Sequence, residues 1–225
     1  MTFAVAARCS RTGMVGVAIT TSSICVAARC PWVRAGVGAV ATQNLTDPVL
    51  GPEILDLLAG GKGAAEALAD AIKGRPNIEH RQLAVIDRTG AAAHYTGEKT
   101  LGTNAVVAGR DCIAVGNLLA TAEVPKAMVQ TFEAGPELHL AERLLQALEG
   151  GLAIGGEVGP VHSAGLLVAH EQIWPLVDLR VDWHDDDPIA GLRRLWQAYQ
   201  PQMADYVARA LDPGAAASYG VPGDE

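Results

Sequence analysis

Two short, mostly apolar runs open the chain, residues 2–9 (Thr-Phe-Ala-Val-Ala-Ala-Arg-Cys) and 14–21 (Met-Val-Gly-Val-Ala-Ile-Thr-Thr). The link between them, Ser10-Arg11-Thr12-Gly13, is rich in turn formers and predicts a β-hairpin. A strand-like run over 24–28, Pro31 and a Gly- and Ala-rich strand over 36–43 follow, so the chain begins as an antiparallel sheet. The apolar period then lengthens to that of a helix. Apolar positions in 53–58, after Gly51-Pro52, and in 64–72 predict two consecutive helices separated by Gly60-Gly61-Lys62-Gly63. Residues 82–87 and 91–96, split by Arg88-Thr89-Gly90, predict a second hairpin, and 111–117 a further strand. Helices over 122–133 and 140–149 come next, then a glycine stretch ending near Pro160, strands over 163–170 and 176–182, and one or two amphipathic helices over 188–211. Residues 213–225, rich in Gly, Ala and Pro, read as a flexible tail after one domain spanning 1–212. Strands in adjacent pairs followed by helices in adjacent pairs indicate an α+β protein with antiparallel sheets, not a βαβ succession.

Composition narrows the partners. The 225 residues are 49% hydrophobic but only 4% aromatic, with 25 glycines, so the core is filled by Ala, Val, Leu and Ile in layers that approach closely. A formal charge of −8 argues against a nucleic-acid partner, which needs a basic footprint. The apolar runs fall short of a membrane span, and Arg8 and Arg11 interrupt the place a signal peptide would occupy; a cytoplasmic protein with no membrane partner is expected. Cys9, Cys25, Cys30 and Cys112 show neither a CxxC pair nor metal-knuckle spacing and read as reduced thiols, with Cys25 or Cys30 as an alternative nucleophile.

Most motifs have structural readings. Gly36-Val37-Gly38-Ala39-Val40-Ala41 has the outline of a dinucleotide fingerprint but lies inside a strand, not at a strand-to-helix turn. His184-Asp185-Asp186-Asp187 ahead of Pro188 fits a helix N-terminus, with Asp187 as cap. The remaining histidines lack ligand spacing; His162 alone stands out, because it directly precedes Ser163 at the start of an inner strand. There is no G-x-S-x-G. Neither a cofactor nor a metal is expected. The position with most chemical potential is Thr2. Methionine aminopeptidase normally trims Met1 before a small residue, leaving a threonine hydroxyl beside its own α-amine, whose pKa of about 7.7–8.0 suits a base near neutral pH.

Residues 1–200 resemble the bacterial and archaeal DUF1028 family, placed in the Ntn-hydrolase-like superfamily. The resemblance rests on Met1-Thr2-Phe3 with Val5-Ala6-Ala7-Arg8; Gly13 with Val15-Gly16-Val17-Ala18; the run from Arg34 to Gln43; Pro48 with Gly51-Pro52 and Leu55-Asp56-Leu57-Leu58; Gly116-Asn117; Ser163-Ala164 with Leu166-Leu167-Val168; and Val177 to Asp182. It implies a four-layer αββα sandwich of two antiparallel sheets and a nucleophile at the first residue of the mature chain. Here that is Thr2, exposed by loss of Met1 alone, attacking an amide through an acyl-enzyme, with Asn117 as oxyanion donor. The opening also resembles proteasome β-type subunits, with Arg34 where that pattern has lysine, and Thr20, Thr21 and Ser22 where it has a supporting carboxylate. Arg34, Gln43, Asn44 and Asp178 are the expected substrate contacts, at strand ends placed near Thr2. Asp178 and Arg180 alternate on one strand and so share a face, an ion pair being the alternative. The expected function is hydrolysis of a small amide, imide or ureido C–N bond in a homo-oligomer acting on a small-molecule substrate. The alternative is a non-catalytic ligand-binding or assembly protein on the same fold.

Overall fold

The computed structural model describes residues 1–218 and 220–221; Tyr219 and 222–225, in the expected tail, lie outside the described residues. The strands are β1 (Thr2–Arg8), β2 (Val15–Thr21), β3 (Pro31–Arg34), β4 (Gly38–Asn44), β5 (Arg81–Asp87), β6 (Ala92–Thr96), β7 (Ala105–Gly109), β8 (Cys112–Asn117), β9 (Ser163–Ala169) and β10 (Val177–Val181). The helices are α1 (Leu50–Ala59), α2 (Ala64–Ile72), α3 (Val124–Ala134), α4 (Leu140–Ala153), α5 (Pro188–Tyr199) and α6 (Met203–Leu211).

Alternation along β1 explains the layering. Phe3, Val5 and Ala7 fall on one face and Thr2, Ala4 and Ala6 on the other, and all six are buried. A strand buried on both faces needs a layer above and another below. Six strands in the order β10-β9-β2-β1-β8-β7 form one sheet and four in the order β3-β4-β5-β6 the other, every pairing antiparallel. The Phe3 face packs under α3, α4 and α5 through Met128, Phe132, Leu144, Leu148 and Trp196. Val40, Leu83 and Val85 of the smaller sheet pack under α1 and α2 through Ile54, Leu58 and Leu68. The inner layer holds Ala4, Ala6, Ala39, Ala41 and Ala84 among Val15, Val17, Ile19, Ile86, Ile113 and Val115. This is the αββα sandwich, and its scarcity of rings is explained by that thin, alanine-rich middle.

The structure departs from the sequence expectation at the edges. Residues 24–28 form no strand; their last three make a 3-10 turn whose Val26 N–H donates to Ser163 Oγ at 3.1 Å. The edge strand comes slightly later, as β3, where Pro31 at its first position lacks only an N–H that an edge can spare. The other unexpected strand, β7, is also an edge. Pro201 divides 188–211 into α5 and α6. Among the described residues no helix is long and apolar enough to cross a membrane.

Close approach leaves no room for side chains at some glycines. A Cβ on Gly38 would stand 2.4 Å from the Ile86 carbonyl oxygen, whereas one on Gly63 would meet nothing closer than 3.9 Å. Gly38→Ala is therefore expected to destabilise the fold by about 2 kcal/mol or more, and Gly63→Ala by well under half of that, as read from urea-unfolding midpoints; equal midpoints for the two variants would contradict the packing described.

Candidate functional site

Strand register gathers polar side chains at one end of the inner layer. Thr2 pairs with Thr21 on one side and Asn117 on the other, and Thr21 pairs with Ser163, so four adjacent strands carry a polar residue in one row. Each shares the face of its strand that contributes Ala4, Ile19, Val115 and Ala169 to the inner layer. The facing sheet supplies Gln43 and Gln82, themselves paired in register between β4 and β5. All six residues are buried. Alternation and register alone thus convert the end of an apolar layer into a polar site.

A single hydrogen bond sets the direction of the amides. Gln82 Nε2 donates to the Gly116 carbonyl at 3.0 Å, which ties the two sheets together and leaves Gln82 Oε1 as acceptor. Gln43 Nε2 and Asn117 Nδ2 both donate to that oxygen, at 2.8 and 3.1 Å. Gln43 Nε2 also reaches the Thr2 carbonyl at 3.5 Å. Gln43 Oε1 and Asn117 Oδ1 are consequently left buried without a partner, and Asn117 keeps one N–H uncommitted.

At Thr2 the two hydroxyls converge on one carbonyl. Thr2 Oγ1 donates to the Met1 carbonyl oxygen at 2.5 Å, Thr21 Oγ1 donates to the same oxygen, and the two hydroxyl oxygens lie 3.1 Å apart. Met1 itself is half-buried, and its side chain runs past Gly159. Its peptide bond acylates the Thr2 nitrogen, so in this form of the chain that nitrogen is no base.

Glu157 is a buried titratable residue near the N-terminus that sequence reasoning missed. It lies in the glycine stretch between α4 and β9, which doubles back on the segment after β8: Ala120 N–H donates to the Gly156 carbonyl at 3.0 Å and Val158 N–H to the Leu118 carbonyl at 2.9 Å. Gly155 and Gly156 take φ of +117° and +56°, which is the turn that glycine permits. Glu157 is 5% exposed and neither carboxylate oxygen makes a hydrogen bond of good geometry among the described residues, although Ser22 stands near it. Burial pushes its pKa up to about 7, against the opposing pull of the Met1 ammonium and Ser22. Glycine spacing was the available signal, since a lone acid between glycines on a loop could have marked a folded-back turn.

The other expected contacts lie elsewhere. Arg34 pairs with Gly38, five residues along β4 from Gln43 and so about 16 Å away at the usual strand rise. It shares the outer face of its strand with Trp32 and bonds Asp56 of α1 at 2.8 Å. Its expected place beside Thr2 is thus corrected: both the end of the sandwich and the face are wrong for contact. Asp178 is also removed from Thr2, on the edge strand β10, where it grips Arg180 through two bonds of 2.7 and 2.8 Å. Asn44 adjoins Gln43 but is committed to the loops, with Nδ2 donating to the His80 carbonyl at 2.6 Å and Oδ1 accepting from Leu101 N–H at 3.2 Å. His162 stacks on Trp183, ring centroids 4.4 Å apart, and its Nδ1 lies 3.0 Å from the His184 carbonyl. Asp187 caps α5 by accepting from Ala190 N–H at 2.9 Å. All four cysteines are free, and no cluster of three potential metal ligands occurs among the described residues.

Comparison with known proteins gives one close and several remote likenesses. The model of the family of unknown function DUF1028 matches residues 2–192. The crystal structure of protein SPO2555 from Silicibacter pomeroyi, also a DUF1028 protein, is 32% identical, with a TM-score of 0.84 over 91% of this chain and 89% of that one. Anbu (ancestral beta-subunit) from Yersinia bercovieri is 13% identical, with a TM-score of 0.37 over 91% of this chain and 97% of that one. An Anbu (Gly-1) mutant from Hyphomicrobium sp. strain MC1 is 14% identical, with a TM-score of 0.42 over 90% and 96%. No curated protein matches.

The Glu157 environment makes a stability prediction. Its pKa in the fold, about 7, exceeds the ordinary value of 4.5, so the folded chain holds this proton more tightly than the unfolded chain. The fold therefore loses stability as pH rises through that interval, approaching a total of about 3 kcal/mol above it. Glu157→Gln removes this dependence. Urea-unfolding curves at pH 5 and pH 8 should show the wild type losing more stability than the variant, and parallel losses would contradict the assigned environment.

Proposed function

The chain belongs to the DUF1028 family, and from that premise we propose an N-terminal-nucleophile amidohydrolase acting on a small amide, imide or ureido compound, with Thr2 as nucleophile. The observation that carries this reading is the convergence of the Thr2 and Thr21 hydroxyls on the carbonyl that precedes Thr2, in a cluster of buried polar side chains with unpartnered amide oxygens. Opening the Met1–Thr2 bond frees the α-amine that takes the Thr2 proton. The Oγ–C bond forms as the substrate carbonyl becomes an oxyanion, for which the uncommitted Asn117 N–H is the donor. Collapse breaks the C–N bond, and the leaving nitrogen receives the proton held by the Thr2 amine. Water then attacks the ester, releasing the acid and returning a proton to Oγ. Gln43 Oε1 and Asn117 Oδ1 suit the N–H groups of an amide or ureido substrate, which would satisfy two buried acceptors at once. Glu157 holds the charge of the protonated amine between steps.

A second reading is supported by the same Met1 carbonyl: a chain that kept Met1 would have its nucleophile capped by two hydrogen bonds and would act by binding alone.

Intact-mass measurement separates the two, since the catalytic reading expects a chain beginning at Thr2 and a fully retained Met1 excludes it. In a trimmed preparation, a panel of small amides, imides and ureido acids should yield turnover that falls about 1000-fold or more in Thr2→Ala. Unchanged turnover in that variant would move the chemistry away from Thr2.

A further inference from the structure

The far end of the six-stranded sheet carries a second polar cavity, of about 430 Å³. It lies beyond the other end of β1, at Cys9, seven residues and about 23 Å from Thr2 at the usual strand rise. The β1–β2 turn contributes Arg11, the β7–β8 turn contributes Arg110 and Asp111, and the paired helices contribute Glu133 and Arg143. A protein with a net charge of −8 here concentrates three guanidinium groups around one opening.

Arg143 is the unusual member. It is 7% exposed, its Nε donates to the Phe132 carbonyl at 3.2 Å, and its guanidinium carbon lies 3.8 Å over the Phe132 ring. Among the described residues it forms no ion pair, although two carboxylates share the cavity wall. Both are committed elsewhere: Asp111 pairs with Arg8 at 3.1 Å, and Glu133 Oε1 accepts from the Arg110 backbone N–H at 2.6 Å. A ring face offsets part of the lost hydration of a buried guanidinium, but such a charge is ordinarily paired. Burial accordingly pulls the Arg143 pKa down. On the same wall, burial raises the pKa of the Cys9 thiol, yet hydrogen bonds from Thr12 and the Arg11 backbone, with a smaller contribution from the Arg11 charge, leave it lowered overall.

We propose that this cavity is a binding site for a small phosphate or phosphoryl group, seated on Arg143 with Arg11 and Arg110 closing over it. A planar guanidinium fork matches the oxygens of a tetrahedral oxyanion two at a time, and three such forks exceed what a single carboxylate can satisfy. The site is separate from Thr2, and its occupancy does not depend on any chemistry there.

Thermal unfolding of the full chain in increasing inorganic phosphate, against chloride at matched ionic strength, tests this directly. Phosphate is expected to raise Tm by several degrees and to saturate, as binding to the folded state requires. Arg11 and Arg110 are exposed and off the core, so the Arg11→Gln, Arg110→Gln double variant keeps the fold and should bind phosphate at least 10-fold more weakly. Arg143→Met should abolish the shift while unfolding no earlier than wild type in chloride; if it does not fold, the double variant decides alone. The proposal is overturned by a Tm that responds to phosphate no more than to chloride, by an unchanged phosphate Kd in the double variant, or by a saturable shift with succinate and none with phosphate.

Discussion

Everything distinctive in this molecule depends on how closely its two sheets approach. Facing strands meet through alanine at six positions, so the inner layer has little depth to absorb a misplaced group. Apolar side chains of modest size fill it over most of its area. Where the layer reaches its end near Thr2, the residues turn polar on four neighbouring strands and on both strands that face them. In so thin a space a polar side chain depends on its immediate neighbours for hydrogen bonds.

That requirement makes the Gly116 carbonyl decisive. A backbone oxygen can only accept, so it fixes which end of the Gln82 amide faces β8. The direction then passes to Gln43 and Asn117, both of which must offer nitrogen to Gln82 Oε1. Two carbonyl oxygens remain unmatched as a consequence, and the cost of leaving each one buried is about 1–3 kcal/mol. A fold built only for stability would replace these residues by apolar ones of similar size. Under the proposed reading, their presence beside Thr2 is binding capacity held in a fixed orientation.

Much of this arrangement could be read from residue order. The short apolar runs and the turn formers between them marked the first hairpin, the helical period over 64–72 coincides with α2, and the equal lengths of β1 and β2 put Thr2 against Thr21. The position of Asn117 at the end of a strand also carried information, since an inner strand ending there brings it level with Thr2. What could not be read was which strand face or sheet end each residue would join. Arg34 illustrates this: its place in a rhythm suggested proximity to Thr2, but the parity of β3 turns it to α1 and the hairpin carries it to the opposite end. Asp178 and Arg180 do share one face, and their own ion pair consumes the charge expected for a ligand. Glu157 was invisible because its surroundings arise from a folded-back loop, with 39 residues between it and Asn117 in sequence. Edge strands β3 and β7 escaped for a related reason, being short and held by one neighbour each.

The unpaired state of Glu157 bears on the form of the chain that would be active. In the chain that keeps Met1, the opposing charge acting on this buried carboxyl, whose pKa is about 7, is the Met1 ammonium. A free α-amine has an ordinary pKa of about 7.7–8.0, within about one unit of that carboxyl. Two groups so closely matched, placed together, share a proton at neutral pH, and the pair costs less to bury than either charge alone. Under the proposed reading, loss of Met1 therefore does more than expose a nucleophile: it replaces the Met1 ammonium that already acts on Glu157 by the Thr2 α-amine. A glycine loop, and not β2, brings this carboxyl within reach of the charge at the chain's first residue.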